Sequence, residues 1–131
     1  MDKLVLVARI LLGLMFFVFG LNGFFNFMPP PELPEPAGAF MGAMAETGYF
    51  LSFLKLTETV CGFLLLTGFF VPLALTVLAP VVLNIVLFHL FLAPAGIAPG
   101  AVALILLLFL AWAYRDNYRG VLEMRAQPTV G

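Results

Sequence analysis

The sequence predicts an all-α integral membrane protein, folded as an antiparallel four-helix transmembrane bundle with a short interfacial helix in its first external connection. Of the 131 residues, 63% are hydrophobic and 10% are charged, whereas soluble domains average about 45–50% and about 25%. Four apolar stretches are each long enough to cross a hydrocarbon layer of ~30 Å. Every connection after the first is short, which favours antiparallel neighbours.

Charge and composition exclude several classes of function. The formal net charge is −1, so the chain has no basic surface for a nucleic-acid partner. Cys61 is the only cysteine, which excludes an intramolecular disulfide and a CxxC redox centre. His89 is the only histidine, and one histidine with one cysteine cannot supply the ligands of a zinc site. We therefore predict no metal.

The first span is predicted at residues 4–25, and an arginine interrupts its apolar run. Arg9, Gly13 and Gly20 share one helix face, where glycines allow a neighbouring helix to approach closely. Arg9 either anchors the helix by reaching toward the cytoplasmic interface or pairs with Glu58 of the second span. We interpret Arg9 as a structural anchor, and Gly13, Gly20 and Gly62 as packing positions.

The connection at residues 26–48 is the longest in the chain. Its prolines keep the first half extended. Residues 37–47 then predict a short helix, which cannot span the membrane and is expected at the interface.

The second span, predicted at residues 49–70, carries the most informative polar residues. Lys55 and Glu58 are three residues apart and therefore share a helix face. Charges at such depth are costly, and they usually face a bundle interior and serve a function. Glu58 is either a proton carrier or ligand anchor, or a structural carboxylate satisfied by Lys55 or Thr59. Lys55 either joins that site or extends to the outer interface.

The third span is predicted at residues 72–92 and the fourth at residues 100–118, followed by a polar tail at residues 119–131. Pro80 is expected to kink the third span. Two further polar residues follow it. Asn84 either lines a site or joins helices through its amide, and His89 is either a ligand-binding group or a hydrogen-bonded packing residue.

Lysine and arginine residues flank the two chain ends, and the connections between the spans contain none. The positive-inside rule therefore predicts a multi-pass protein of the cell inner (plasma) membrane with both termini cytoplasmic. At ~1.5 Å per residue, five polar residues from three spans then fall in the outer half. They predict an outward-facing polar pocket between spans one to three, lined by Asn22, Lys55, Glu58, Asn84 and His89.

Several of these residues belong to recognisable motifs. An arginine opens the motif Arg9–Gly13, a glycine closes Phe16–Gly20, and the second span carries Glu58–Gly62 followed by a leucine-rich turn that ends at Gly68. In these motifs the chain resembles the DoxX-like family of small four-span bacterial membrane proteins, and the resemblance covers residues 4–114. Many relatives carry a lysine just after the first-span glycine, where this chain has Asn22 and Gly23.

Three functions follow from these features. The pocket predicts the binding of a small amphipathic molecule, either a quinone or a lipid-like metabolite. The resemblance implies an alternative, a non-catalytic membrane subunit of a quinone-linked oxidoreductase that works with a soluble redox partner. The third is a small-molecule transporter or accessory protein built as a homo-oligomer. Quinone is the one cofactor considered, and we do not predict an enzyme that acts alone.

Overall fold

A computed structural model describes residues 1–130, which form five α-helices and two short 3₁₀ turns, with no strand in that range. Three long helices and the segment Pro94–Ala113 are long and apolar enough to cross a membrane. The predicted all-α class with four membrane-spanning helices is confirmed. The helices are α1 (Asp2–Phe25), α2 (Glu35–Glu46), α3 (Phe50–Thr67), α4 (Val71–Leu92) and α5 (Ile97–Ala113).

The ends of α5 differ from the predicted range of residues 100–118. The helix begins at Ile97, because Pro99 falls in the first turn, where a missing N–H removes no intrahelical hydrogen bond. It ends at Ala113, and a 3₁₀ turn follows at Arg115–Tyr118. The Tyr118 hydroxyl donates a hydrogen bond to the Pro72 carbonyl oxygen at 2.9 Å. This contact returns the chain to the start of α4.

The turn between α3 and α4 ends α3 at Thr67, three residues before the predicted end of that span. Gly68 caps the helix with a φ of 83°, a left-handed conformation that glycine adopts without steric cost. Phe70 follows with a φ of 53° and precedes α4. The connection is therefore only three residues long, and α3 and α4 run antiparallel beside each other.

The bundle core consists of small and branched apolar side chains from all four spans. Helix α1 packs most extensively on α3, and α4 packs most extensively on α5. Helix α4 continues through Pro80, which lies on its exposed face. The most completely buried large side chains are Leu12, Leu65, Leu75, Leu78, Val82 and Leu110.

The short helix α2 lies against α3 and α4. It begins at Glu35, two residues before the predicted range, because Pro36 is well suited to a first helical turn. Ala37 is fully buried, and the Phe40 ring packs against Phe88 of α4 with centroids 5.7 Å apart. The first connection is therefore held against the bundle at the end where Lys55 lies.

Candidate functional site

The site is centred on an ion pair within α3. Lys55 Nζ lies 3.0 Å from Glu58 Oε2, and the two side chains are 27% and 4% exposed. The contact is an ion pair without hydrogen-bond alignment, since Oε2 has no hydrogen-bond partner among residues 1–130. At 1.5 Å per residue, the two α-carbons lie about 8 Å and about 12 Å from the start of α3. A buried carboxylate is thus joined to a cation that reaches the protein surface.

Gly23 of α1 provides the surface on which the Lys55 side chain lies. A β-carbon built at Gly23 would lie 2.6 Å from Lys55 Cδ and 2.9 Å from its Cβ. One turn away, a β-carbon at Gly20 would lie 2.7 Å from the backbone nitrogen of Thr59. The Thr59 hydroxyl donates to the Lys55 carbonyl oxygen at 2.7 Å, so it does not serve Glu58. The missing β-carbons of Gly23 and Gly20 therefore make room for Lys55 and Thr59, respectively.

Two further glycines bring α1 and α3 into backbone contact. A β-carbon at Gly13 would lie 2.9 Å from the Leu66 nitrogen and 3.0 Å from the Gly62 oxygen. A β-carbon at Gly62 would lie 2.8 Å from the Gly13 oxygen and 2.8 Å from Phe17 Cα. Backbone atoms cannot move aside as a side chain can, so any larger residue must separate the helices. The ion pair is therefore carried on a rigid helix pair.

Asn22 has a local structural role in this arrangement. Its Oδ1 accepts a hydrogen bond from the Met28 N–H at 2.8 Å. Asn26, in a left-handed conformation with φ 52°, caps α1 by donating its N–H to the Asn22 carbonyl oxygen. Asn22 thus fixes the turn that leaves α1, next to Gly23 and the lysine that covers it.

His89 and Asn84 of α4 lie apart from the ion pair. His89 Nδ1 is 2.8 Å from the Ile85 carbonyl oxygen, and a carbonyl only accepts, so Nδ1 carries the proton. Its ring faces Gly96, where a β-carbon would lie 3.0 Å from Cδ2. Asn84 is exposed, on the opposite side of α4 from the buried Val82. The structure therefore joins Lys55 with Glu58 and leaves both α4 residues at other surfaces.

Arg9 lies at the far end of the α1–α3 interface. Its guanidinium occupies the position that a β-carbon would take at Gly68, the residue that caps α3. Gly68 is ten residues beyond Glu58, about 15 Å along the helix axis. Within residues 1–130 the ion pairs are Lys55–Glu58 and Asp116–Arg119. Arg9 is therefore paired with neither Glu58 nor another carboxylate.

Two open clefts lie away from the ion pair. One, of about 340 Å³, is lined by Arg9 together with Asp2, Tyr114 and apolar residues of α1 and α5. The other, of about 310 Å³, lies between α3 and α4 and includes Phe53, Thr57 and Cys61. Sequence reasoning missed Asp2 and Tyr114 as neighbours of Arg9. The signal for Asp2 was its spacing, since residues 2 and 9 lie two turns apart on one helix face.

Comparison with known proteins adds one finding. The family model described as DoxX matches residues 4–93, which include α1 to α4 and both members of the ion pair. Neither a curated protein nor a solved structure matches the chain.

Proposed function

This chain belongs to the DoxX family of multi-pass membrane proteins, and on that premise we propose that it holds a small amphipathic molecule, a quinone or a lipid-like metabolite. The polar head of this molecule contacts Lys55, and its apolar body lies among the surrounding hydrocarbon side chains and lipid. The observation that supports the proposal is the ion pair, in which a carboxylate 4% exposed holds a lysine 27% exposed.

The chemistry of the pair suits an acceptor ligand. A lysine ammonium has three N–H donors and no acceptor. Lys55 Nζ lies 3.0 Å from Glu58 Oε2, and this is its one polar contact with a side chain within residues 1–130. The donors that do not face Glu58 are therefore free for a carbonyl or hydroxyl oxygen of a ligand head. Glu58 keeps the ammonium over Gly23 and is the group that would accept or relay a proton at the bound head.

Native mass spectrometry of gently solubilised protein tests this proposal. The wild type is expected to release a bound amphipathic molecule, and Lys55→Met and Glu58→Gln are expected to reduce its occupancy at least about tenfold, the value of one charge-assisted hydrogen bond. Asp116→Asn is the matched control, because Asp116 and Arg119 form an i,i+3 pair that is 74–80% exposed. A wild type without bound ligand, or equal occupancy in all folded variants, would overturn the proposal.

His89→Ala separates two versions of the same function. Loss of ligand in the pair variants alone supports a site centred on Lys55 and Glu58. Loss in His89→Ala as well supports the wider pocket that also contains Asn22, Asn84 and His89, with the α4 residues reorienting when ligand binds.

We propose that the protein lies in the cell inner (plasma) membrane with both termini in the cytoplasm. Five of the six lysine and arginine residues flank the termini, and the first connection holds three glutamates and no lysine or arginine. A cysteine at Gly42 should react with a membrane-impermeant maleimide in intact cells, and one at Gly120 should not. Both variants need Cys61→Ser as background, and the reverse labelling pattern would contradict the orientation.

One observation favours the homo-oligomeric transporter as a second candidate. Asn84 exposes an amide on α4 between Leu83 and Leu87, which are themselves 52% and 41% exposed. An asparagine on a lipid-facing helix surface favours association through paired amides. Asn84→Ala should then shift cross-linked oligomers to monomers. Thr76→Ala is the control, because the exposed Thr76 hydroxyl is already satisfied by the Pro72 carbonyl at 2.8 Å; a monomeric wild type would exclude this candidate.

A further inference from the structure

We propose that the Arg9 cleft binds a phosphate group, supplied by a phospholipid headgroup of the adjacent leaflet. The Arg9 cleft is the open space of about 340 Å³ lined by Asp2, Val5, Leu6, Arg9, Ala113 and Tyr114. It lies at the opposite end of the α1–α3 interface from Lys55 and Glu58, and it uses none of the residues of the proposed function. The two sites can therefore be tested separately.

The Arg9 side chain has no partner for its charge within residues 1–130. Arg9 Nε is buried and has no hydrogen-bond partner, and no carboxylate lies within salt-bridge distance of its guanidinium within residues 1–130. A guanidinium has five N–H donors in a planar fork, which matches the oxygen atoms of a phosphate. A guanidinium without hydrogen-bond partners is costly to bury. Arg9 is half-buried, and its Nη groups make no hydrogen bond within residues 1–130, so a phosphate oxygen in the cleft would partner them.

The Arg9 charge lies at the end of a helix. The Arg9 guanidinium lies against Gly68 at the C-terminus of α3, where the helix dipole favours a cation. This contact keeps the arginine at the bundle end and leaves the charge itself uncompensated. Arg9 is seven residues from the start of α1, about 10 Å along its axis. The guanidinium itself lies at Gly68, where α3, one of the helices long enough to cross a membrane, ends.

The lining of the Arg9 cleft combines apolar and polar side chains. Val5, Leu6 and Ala113 form apolar walls beside the charge, as an amphipathic phosphate ester requires. Tyr114 also lines the cleft, and its hydroxyl can donate to a phosphate oxygen. The same terminal segments also hold Lys3, Arg115, Arg119 and Arg125 against Asp116 and Glu123, so basic residues outnumber acidic ones and the field at this end favours anions.

Asp2 lines the same cleft, and its negative charge repels a bound phosphate. Substitutions of Asp2 and Arg9 should therefore change the phosphate affinity in opposite directions. Removing the Asp2 charge should strengthen phosphate binding, whereas removing the Arg9 charge should weaken it. If Asp2 were the natural partner of Arg9, Asp2→Asn would also lower the unfolding midpoint of the lipid-free protein, whereas an Asp2 that only opposes the anion leaves that midpoint unchanged. Lys3→Gln is the matched control, because it removes a cation from the same end without changing a residue that lines the cleft.

The experiment is a titration of detergent-solubilised protein with dioleoyl-phosphatidylglycerol, read by native mass spectrometry. Dioleoylglycerol, which has the same acyl chains and no phosphate, is the ligand control, and glycerol 1-phosphate is the soluble probe. We expect Arg9→Gln to lower the affinity for phosphatidylglycerol about tenfold or more, Asp2→Asn to raise it severalfold, and Lys3→Gln to change it less than about threefold.

The arms distinguish the two sources of phosphate. Arg9-dependent binding of phosphatidylglycerol assigns the cleft to a lipid headgroup, and Arg9-dependent binding of glycerol 1-phosphate alone assigns it to a free phosphate ester. Binding that is independent of Arg9 in both arms, binding of dioleoylglycerol as tight as that of phosphatidylglycerol, or an equal loss in Lys3→Gln overturns the proposal. If Arg9→Gln does not fold, Arg9→Lys decides instead, because lysine keeps the charge and lacks the planar fork: weaker binding of phosphatidylglycerol supports the site, and unchanged binding overturns it.

Discussion

At one end of the α1–α3 interface Lys55 lies over Gly23 and pairs with Glu58, whereas at the other end Arg9 lies against Gly68 and pairs with no carboxylate in residues 1–130. Both cations occupy space that a glycine leaves open. They differ in what compensates the charge, since α3 supplies a carboxylate to Lys55 but only its C-terminal dipole to Arg9. At the paired end the cation is compensated by a buried carboxylate, and at the unpaired end it is open to an external anion.

The largest expected effect comes from separating the ion pair. Lys55→Met leaves a carboxylate 4% exposed without its cation and should lower the free energy of unfolding by about 3 kcal/mol. Glu58→Gln should cost less, because the lysine left behind is 27% exposed and can reach water. Unfolding of the purified protein in mixed micelles measures both. Equal losses of stability in Lys55→Met and Glu58→Gln would contradict the difference in burial between the two side chains. Asp116→Asn is the control and should give no measurable change in stability.

Opening the glycine contact should produce the next largest effect. In Gly62→Ala the added methyl would meet backbone atoms of Gly13 and Phe17, so the helices must separate, and we expect a loss of about 2 kcal/mol. Gly42→Ala in α2 is the control, because no heavy atom lies within 4 Å of its added β-carbon; it should be neutral or stabilising. Equal stability of the two variants would contradict the close packing of α1 on α3.

A smaller effect is expected at the other end of α3. Gly68→Ala places a side chain at φ 83° and displaces the Arg9 guanidinium, and it should cost about 1 kcal/mol and weaken phosphate binding. Gly48→Ala shares the conformation, with φ 81°, but its β-carbon meets no atom within 4 Å. Gly48→Ala should therefore lower the free energy of unfolding in micelles by a similar amount. Its phosphate binding should stay at the level of the wild type. A loss of phosphate binding in both variants would show that Gly68 has no specific role in the Arg9 cleft.

The smallest effect on stability is expected from Arg9 itself. Arg9→Met removes a favourable interaction with the end of α3 and a buried donor without a partner, so its cost should stay at or below about 1 kcal/mol. Comparing its unfolding midpoint with that of Lys55→Met tests the contrast between the two ends. An Arg9→Met variant as unstable as Lys55→Met would show that Arg9 has an internal partner.

The fold could be predicted because each helix depends mainly on its own stretch of sequence. Each span is an apolar run of sufficient length, and the membership of Lys55 and Glu58 in one pair follows from their i,i+3 spacing. The family predicted from the arginine and glycine motifs is confirmed over residues 4–93. Pro99 and Pro36 shifted helix ends, because the first helical turn tolerates a residue without an N–H.

The shared pocket was harder to predict, because depth along a helix does not determine direction around it. Asn84 has the depth of Glu58, but it is two residues from the buried Val82, about 200° around α4 at 3.6 residues per turn, and it faces outward. His89 turns toward Gly96 of the following connection. The Arg9 cleft was not predicted because it requires Tyr114, which only the packing of α5 against α1 brings near Arg9.

The most direct test of the contrast between the two ends is one native mass spectrometry comparison of wild type, Glu58→Gln and Arg9→Gln, each solubilised with its bound lipids. The account predicts that Glu58→Gln loses the small amphipathic molecule and keeps a phosphatidylglycerol adduct, whereas Arg9→Gln keeps the small molecule and loses the adduct. Two folded variants with the ligand content of the wild type would contradict both sites. Loss of both ligands in either variant would contradict their independence.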